Sequence, residues 1–427
     1  ALKRRKIEAE FSGGDITSDG GVLLLRQIDR QIGLMQSVAN AIDDYRQTDR
    51  VQHDCLSILR QRVYGLAMGY EDLNDHHSLR LDPAIQTAIN KENYLASPAT
   101  LCRFENNMSR EAAVSIHKVI VDKFIESFKK PPKELILDFD ATDDPTHGKQ
   151  EKCFFHGYYD HYCFLPLYVF CEDQLLVSYL RPSNIDGAKH SWAILSLLVK
   201  RLRQAWPDVK IIFRGDSGFC RHRMFDWCEK NNVDYIVGLA GNQRLQKYNQ
   251  TLVKQAEKNY LEKDEKQRLF DSFQYAAKSW LKQRYVIAKA EYSSRGLNTR
   301  FVVSSIKEDP KNLYDTLYCA RGDMENRIKE QQLGLFADRT SSHHWWSNQC
   351  RLLLSSLAYV LMDAIRRLTL KNTKLAKAQM TTIRLKLLKI GAIVLKNTRR
   401  IRFLFASAYP YKELFKSVAA QLQPRPG

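Results

Sequence analysis

The chain has no Cys-x-x-Cys pair. Its nine cysteines (55, 102, 153, 163, 171, 220, 228, 319 and 350) are scattered over 427 residues. That usage fits reduced thiols in a cytosol and gives no structural zinc site. Long hydrophobic runs are missing too. The most apolar stretch, 352–365, covers 14 positions and contains Asp363, too short and too charged to span a bilayer. The first ten residues, ALKRRKIEAE, carry a basic cluster with no apolar segment behind it. Neither a secretory signal nor a membrane partner is expected, and the expected location is cytoplasmic. No internal repeat or low-complexity tract stands out. Hydrophobic residues make up 44% and charged residues 27%, an ordinary globular balance that excludes a disordered chain, a collagen-like repeat and a small disulfide scaffold. The length admits two or three domains.

Acidic residues are scarce at one end. Lys and Arg number 66 against 48 Asp and Glu, a net charge of +18. Residues 341–427 hold 16 of the basic residues and only Asp363 and Glu413 as acids, a net of +14 that leaves +4 for the first 340. Arg366, Arg367, Lys371, Lys374, Lys377, Arg384, Lys386, Lys389, Lys396, Arg399, Arg400 and Arg402 interleave with aliphatic residues. The pattern predicts helices with one buried and one cationic face. Such a block suits phosphate-backbone contact, the plainer alternative being a solvated helical surface. Backbone contacts position a protein without reading bases.

The texture of the chain divides it into five segments. Residues 1–130 read as a helical N-terminal DNA-binding domain. A helical pattern over 51–68 meets Gly69, a second helix is possible from Tyr70, and the two could form a helix-turn-helix. Ser97-Pro98 starts another helix, with Ser as N-cap and Pro at the first turn. The run Lys129-Lys130-Pro131-Pro132-Lys133 reads as a linker. Segment 131–242 predicts strands at 135–140, 164–170, 174–180, 209–213 and 235–239 and a helix over 190–206, a mixed α/β sheet. Segment 243–305 reads as a polar helical stretch to 277 with a β-hairpin after it, an excursion from the main sheet. Segment 306–365 closes the core, and 366–427 is a basic helical region.

Asp138 and Asp140 stand two apart on a strand, so both project to one face while Leu135, Leu137 and Phe139 take the other. A buried carboxylate is costly unless it is paired or binds a cation. Asp216 lies just past the 209–213 strand in a Gly-flanked turn, at the edge where α/β sheets bind ligands. Each Asp is alternatively a cap or turn residue. Tyr318, Arg321 and Glu325, spaced i, i+3, i+7, line one helix face, whose plainer reading is a solvated Arg–Glu pair. Asp143, Asp144 and Asp323 read as turn or surface acids. His147, His156, His161 and His190 lack a zinc spacing and suit structural or DNA-contact roles. Trp345-Trp346 reads as packing for a C-terminal helix.

The sequence resembles the DDE transposases of bacterial insertion sequences, in the branch with a β-rich insertion. The resemblance rests on Asp140-Ala141-Thr142, on Arg214-Gly215-Asp216-Ser217-Gly218-Phe219, and on Tyr318, Arg321 and Glu325 in that order. Ser12-Gly13-Gly14-Asp15-Ile16-Thr17-Ser18-Asp19-Gly20-Gly21 resembles one subgroup. It implies a ribonuclease-H-like mixed sheet with a β-rich insertion, flanked by the helical N-terminal domain and the basic C-terminal region. It implies Asp140, rather than Asp138, with Asp216 and Glu325 as catalytic and metal-binding residues. These would carry two Mg²⁺ ions per site, with Mn²⁺ as a substitute. Tyr318 and Arg321 are cast as phosphate ligands. The family's Lys falls at Gln332, with Lys329 the available substitute one turn after Glu325. Arg366, Arg367, Arg399 and Arg400 complete the expected DNA-binding set. Trp280 either packs or stacks a flipped base. The implied partners are double-stranded DNA with terminal inverted repeats, target DNA and a second copy of the chain on DNA, in the cytoplasm at the bacterial nucleoid. The competing readings are an inactive DNA-binding regulator and a nuclease that cuts without joining.

Overall fold

The structure is a computed structural model that describes residues 6–44, 46 and 51–423. Lys3, Arg4, Arg5 and Arg425, part of the basic clusters noted above, lie outside the described residues. The chain divides into two compact units. One is Ala1–Val119 with Glu330–Thr340 and Trp346–Gly427; the other is Ile120–Lys329 with Ser341–Trp345.

The second unit is built on one mixed sheet. Its strands are β1 (Glu134–Ala141), β2 (Leu167–Cys171), β3 (Gln174–Tyr179), β4 (Lys210–Gly215), β5 (Asp234–Leu239), β6 (Gln267–Tyr275), β7 (Arg284–Ser293) and β8 (Gly296–Ser304). Their order across the sheet is β6-β7-β8-β5-β4-β1-β2-β3. β1 pairs with β4 and β4 with β5 in parallel, whereas β1–β2 and β2–β3 are antiparallel. Leu135, Leu137 and Phe139 are buried as the alternation predicts, and Phe139 packs edge-on to Phe213 with ring centroids 5.1 Å apart. Fully burying a side chain of that size contributes about 1.5–3 kcal/mol. Helix Ser191–Ala205 buries Leu195, Leu198, Val199 and Leu202, the i, i+3, i+4, i+7 stripe that packs a helix on a sheet.

Three expectations for this unit change. The predicted 164–170 strand is two, His161–Phe164 and β2, because Pro166 between them cannot donate a ladder hydrogen bond. The helical stretch expected to 277 ends at Lys263, and β6 takes the rest. Its nine residues pair along their whole length with β7, and that pairing overrides a polar helical reading. The 243–305 segment is not an excursion from the sheet: Phe301–Ser304 of β8 pair antiparallel with Leu239–Ile236 of β5, so the hairpin extends the same sheet. Val286, Ile287 and Ala288 are consecutive and all buried, as in a strand covered on both faces.

In the first unit, helix Cys55–Met68 starts on Asp54, whose side chain accepts the Ser57 N–H, and stops at Gly69 with φ 98°. The next helix after Gly69, His76–Leu79, has only four residues and is shorter than the helix a helix-turn-helix needs. Ser97 caps helix Pro98–Asn106 as expected. The 25-residue helix Trp345–Thr369 buries Leu353, Leu357, Leu361 and Ile365. Among the described residues no helix is long and apolar enough to cross a membrane.

The C-terminal region is not all helical. Ala392–Asn397 and Arg400–Phe405 form a hairpin whose first strand pairs with Ile16–Thr17. Burial in the first strand alternates with period two (Ala392 and Val394 buried, Ile393 and Leu395 exposed), the strand period rather than the helical one. Gly21 packs its backbone against residues 387–388: a Cβ there would fall 2.2 Å from the Leu387 carbonyl oxygen. The Gly-Gly of the N-terminal motif thus permits a close backbone approach.

Candidate active site

Asp140 is the penultimate residue of β1, and Asp216 is the first residue beyond β4. Asp138 and Phe139 pair in parallel register with Arg214 and Gly215. Both carboxylates therefore stand at neighbouring carboxyl ends, two residues past a paired position. Asp140 Oδ1 accepts the Ala141 N–H at 2.9 Å. Asp216 Oδ1 accepts the Gly218 N–H at 2.8 Å, capping a single 3-10 turn, Ser217–Phe219. Asp216 is thus a cap as well as one of the expected acids.

Glu325 arrives on a continuous run of helix in three windings: π over Leu313–Tyr318, 3-10 over Cys319–Arg321, α over Gly322–Lys329. Arg321 joins it to the sheet. One guanidinium nitrogen lies 3.3 Å from Asp140 Oδ2 and another 3.0 Å from Glu325 Oε1. Burial pushes the Asp140 carboxyl up to about 7; Arg321 opposes that, and the carboxylates of Asp216 and Glu325 add to it. The three expected acids thus share one electrostatic neighbourhood. Glu325 is exposed, with 49% of its side-chain surface open against 15% for Asp140.

The donor set is three hard carboxylates, which suits Mg²⁺ or Mn²⁺. Among the described residues, no three His, Cys, Asp or Glu side chains are gathered closely enough to hold a metal ion by themselves. The positive charge between Asp140 and Glu325 is supplied by Arg321. Carboxylates are the ligand type a divalent ion takes, and here a guanidinium lies between two of them.

Tyr318 is half-buried beside this cluster. Burial raises its phenol pKa, and Asp216 adds to the rise. A residue that sequence reasoning missed lies next to it. Gly238 of β5 carries no side chain where a Cβ would fall 2.6 Å from Tyr318 Oη and 2.8 Å from the Ser217 nitrogen. Its only sequence signal is a glycine inside an apolar strand, which marks a close approach. Lys329 ends the α winding and is exposed; Gln332 falls in the next π turn, Glu330–Gly334.

Among the remaining acids and aromatics, Asp143 pairs with His161 at 2.8 Å. Asp144 is buried on a two-residue strand, not a surface acid; its pairing with Phe164 draws it inward. Asp323 is exposed. Trp280 is buried against Phe225 and Tyr275, with the Arg284 guanidinium 5.4 Å from its ring. Its ring is buried in packing contacts, with the guanidinium over it. Trp345 sits edge-on to Phe164, at 5.5 Å.

The four C-terminal arginines belong to the first unit and fall into two groups. Arg366 is buried, 3.1 Å from Asp363 and 3.2 Å from Glu330, so it is not on a DNA-facing surface as expected. Helical spacing places it on the polar face, but acids from its own and another segment draw it inside. Arg384, also expected on the cationic face, is buried and donates to the Ala67 carbonyl at 2.7 Å. Arg367 is half-buried, 3.6 Å from Asp363. Arg399 and Arg400 are exposed at the tip of the 392–405 hairpin, where Asn397 Oδ1 accepts both their N–H groups at 3.0 Å.

An α/β sheet with acids converging on the carboxyl ends of its central strands is an enzyme-like arrangement. The chain matches the family described as transposase DDE domain group 1 over residues 1–426, and it belongs to that family. Members of this class are metal-dependent enzymes that cut and transpose DNA. No curated protein matches the chain. Among solved structures, the cryo-EM structure of a piggyBac transposase synaptic complex with hairpin DNA is similar at 10% identity. That match has a TM-score of 0.46 and covers 96% of this chain and 87% of that one.

Proposed function

We propose that this DNA transposase serves a bacterial insertion sequence, binding its terminal inverted repeats as a dimer and cutting and joining DNA strands at Asp140, Asp216 and Glu325. The observation that carries the reading is the Arg321 guanidinium bound to both Asp140 and Glu325, beside Asp216. Three acids from distant parts of the chain meet around one positive charge, in the order the DDE motif requires. The strand order β3-β2-β1-β4-β5, with β2 alone antiparallel to its neighbours, supports a ribonuclease-H-like core.

The three carboxylates would hold a pair of Mg²⁺ ions, which supply an activated attacking oxygen and charge relief at the leaving oxygen when bound. The protein's own part is positioning. Asp140 and Asp216 are fixed by backbone N–H groups at adjacent strand ends. Arg321 exchanges its carboxylate partners for a phosphate, which a guanidinium grips with two hydrogen bonds, and so frees both acids. Tyr318 donates its phenolic proton to a second phosphate oxygen. Water is the first nucleophile and the freed 3′-hydroxyl the next. Lys329, four residues past Glu325, adds a point charge on the DNA.

The test is incubation of the protein with Mg²⁺ and DNA carrying the element's ends. Cut and joined products are expected. Asp140→Ala, Asp216→Ala and Glu325→Ala should each reduce cleavage at least about 10³-fold, in the range of losing a metal ligand or key electrostatic group, while DNA binding survives. Full activity in any one variant removes that residue from the site. DNA bound but uncut by the wild type supports a regulator instead.

A further inference from the structure

We infer that Arg214 and Asp138 form a positioning fork that sets the three acid-bearing elements relative to one another. The inference rests on reading Asp140, Asp216 and Glu325 as one site, and it concerns residues to which no chemical role falls.

The geometry is specific. Arg214 spends both sides of its guanidinium. Its Nε bonds Asp138 Oδ1 and its Nη2 bonds Asp138 Oδ2 at 2.6 Å, while Nη1 donates to the Leu317 carbonyl. Each partner lies a short, fixed step from an acid. Asp138 is two residues before Asp140 on β1, and Arg214 is two residues before Asp216 at the end of β4. Leu317 is in the last turn of the π winding, just before Tyr318, on the run that delivers Arg321 and Glu325. One side chain therefore touches all three elements. The two charged side chains are nearly closed to solvent, at 7% and 3% exposure.

Stability alone does not favour such a pair. Desolvating two ions costs several kcal/mol each, and a well-packed apolar pair often does as well or better. An apolar pair would also hold β1 to β4, which backbone ladder bonds already do. What it lacks is direction. A planar fork accepts one carboxylate orientation and, with its remaining nitrogen, one carbonyl position. The Leu317 contact fixes the helical run at the point where its winding passes from π to 3-10. A slip of one residue there would rotate Arg321 and Glu325 away from Asp140.

The test uses the full chain with Arg214→Lys, which keeps the charge but loses the planar fork. A second variant, Asp138→Asn with Arg214→Gln, removes both buried charges together and so protects the fold. Thermal unfolding confirms that each is folded. Hydrogen exchange should then show loss of protection confined to 313–329, with β1 and β4 amides protected as in the wild type. Calorimetric titration with Mn²⁺ should show binding weakened at least ten-fold. On element-end DNA, kcat should fall at least ten-fold with KM within two-fold of wild type. Wild-type protection over 313–329 in both variants overturns the fork. So does a lowered melting temperature with unchanged Mn²⁺ affinity and kcat, the mark of a merely structural pair. If the wild type binds no Mn²⁺ that Asp140→Ala abolishes, the reading of the site fails instead, and the exchange data still decide whether the fork holds the helix.

Discussion

Single residues show most directly how burial sets behaviour. His76 is buried in the first unit, with Arg62 Nη1 3.2 Å from its Nε2 and Gln61 3.2 Å from its Nδ1. Burial, with the nearby Arg62 guanidinium adding to it, holds its pKa well below the usual histidine value. Folded His76 therefore stays neutral where the unfolded chain takes up a proton, near pH 6.5. The unfolded state binds more protons below that pH, so stability should fall as pH drops from about 7 towards 5. His76→Gln should flatten that part of a melting-temperature profile; an unchanged slope would assign it elsewhere. Gly238 makes a different point. Gly238→Ala should push Tyr318 or the Asp216 turn aside and slow cleavage by roughly ten- to hundred-fold, the scale of a misplaced reacting group, with DNA affinity little changed. Asp140, Asp216 and Glu325 are legible in the sequence because their motifs carry them. The Arg321–Asp140 contact is not, because it joins positions 181 apart and no local spacing encodes it.

At the level of elements, the basic C-terminal block shows what a count of charges leaves open. The count cannot separate Arg366, buried between Asp363 and Glu330, from Arg399 and Arg400 on an exposed hairpin tip. Their variants should separate cleanly. Arg366→Ala removes a buried cation from between two buried acids and should cost about 3–5 kcal/mol of stability, as broken buried pairs do, read by urea unfolding. Arg399→Ala and Arg400→Ala should leave unfolding unchanged, weaken DNA binding, and each lower the salt slope by about one. Strand pairing explains the other element-level departures. The polar pattern of β6 predicts helix, yet a neighbouring strand offers it nine partners. Propensity is a weak prior once such a template exists. Pro166 and Gly69, by contrast, act as local signals do, since what they forbid or permit is set by their own backbones.

For the whole chain, the balance of +18 predicts strongly salt-dependent DNA binding. Log affinity should fall linearly with log salt at a slope of about −0.9 per phosphate contacted, and a flat profile in a filter-binding titration would show that the exposed cations face elsewhere. Removing divalent metal with a chelator should stop cutting and leave this binding in place. Sequence by itself determined the alternation that buries β1, the cap at Ser97, the order of the three acids, and the overall charge, because each depends on a residue and its near neighbours. Only the tertiary structure decided that the β-rich hairpin extends the main sheet, which basic residues turn inward, and that one arginine closes the gap between Asp140 and Glu325. Those outcomes depend on which distant backbone or carboxylate happens to stand opposite, and a linear string of residues does not contain that information in any local pattern.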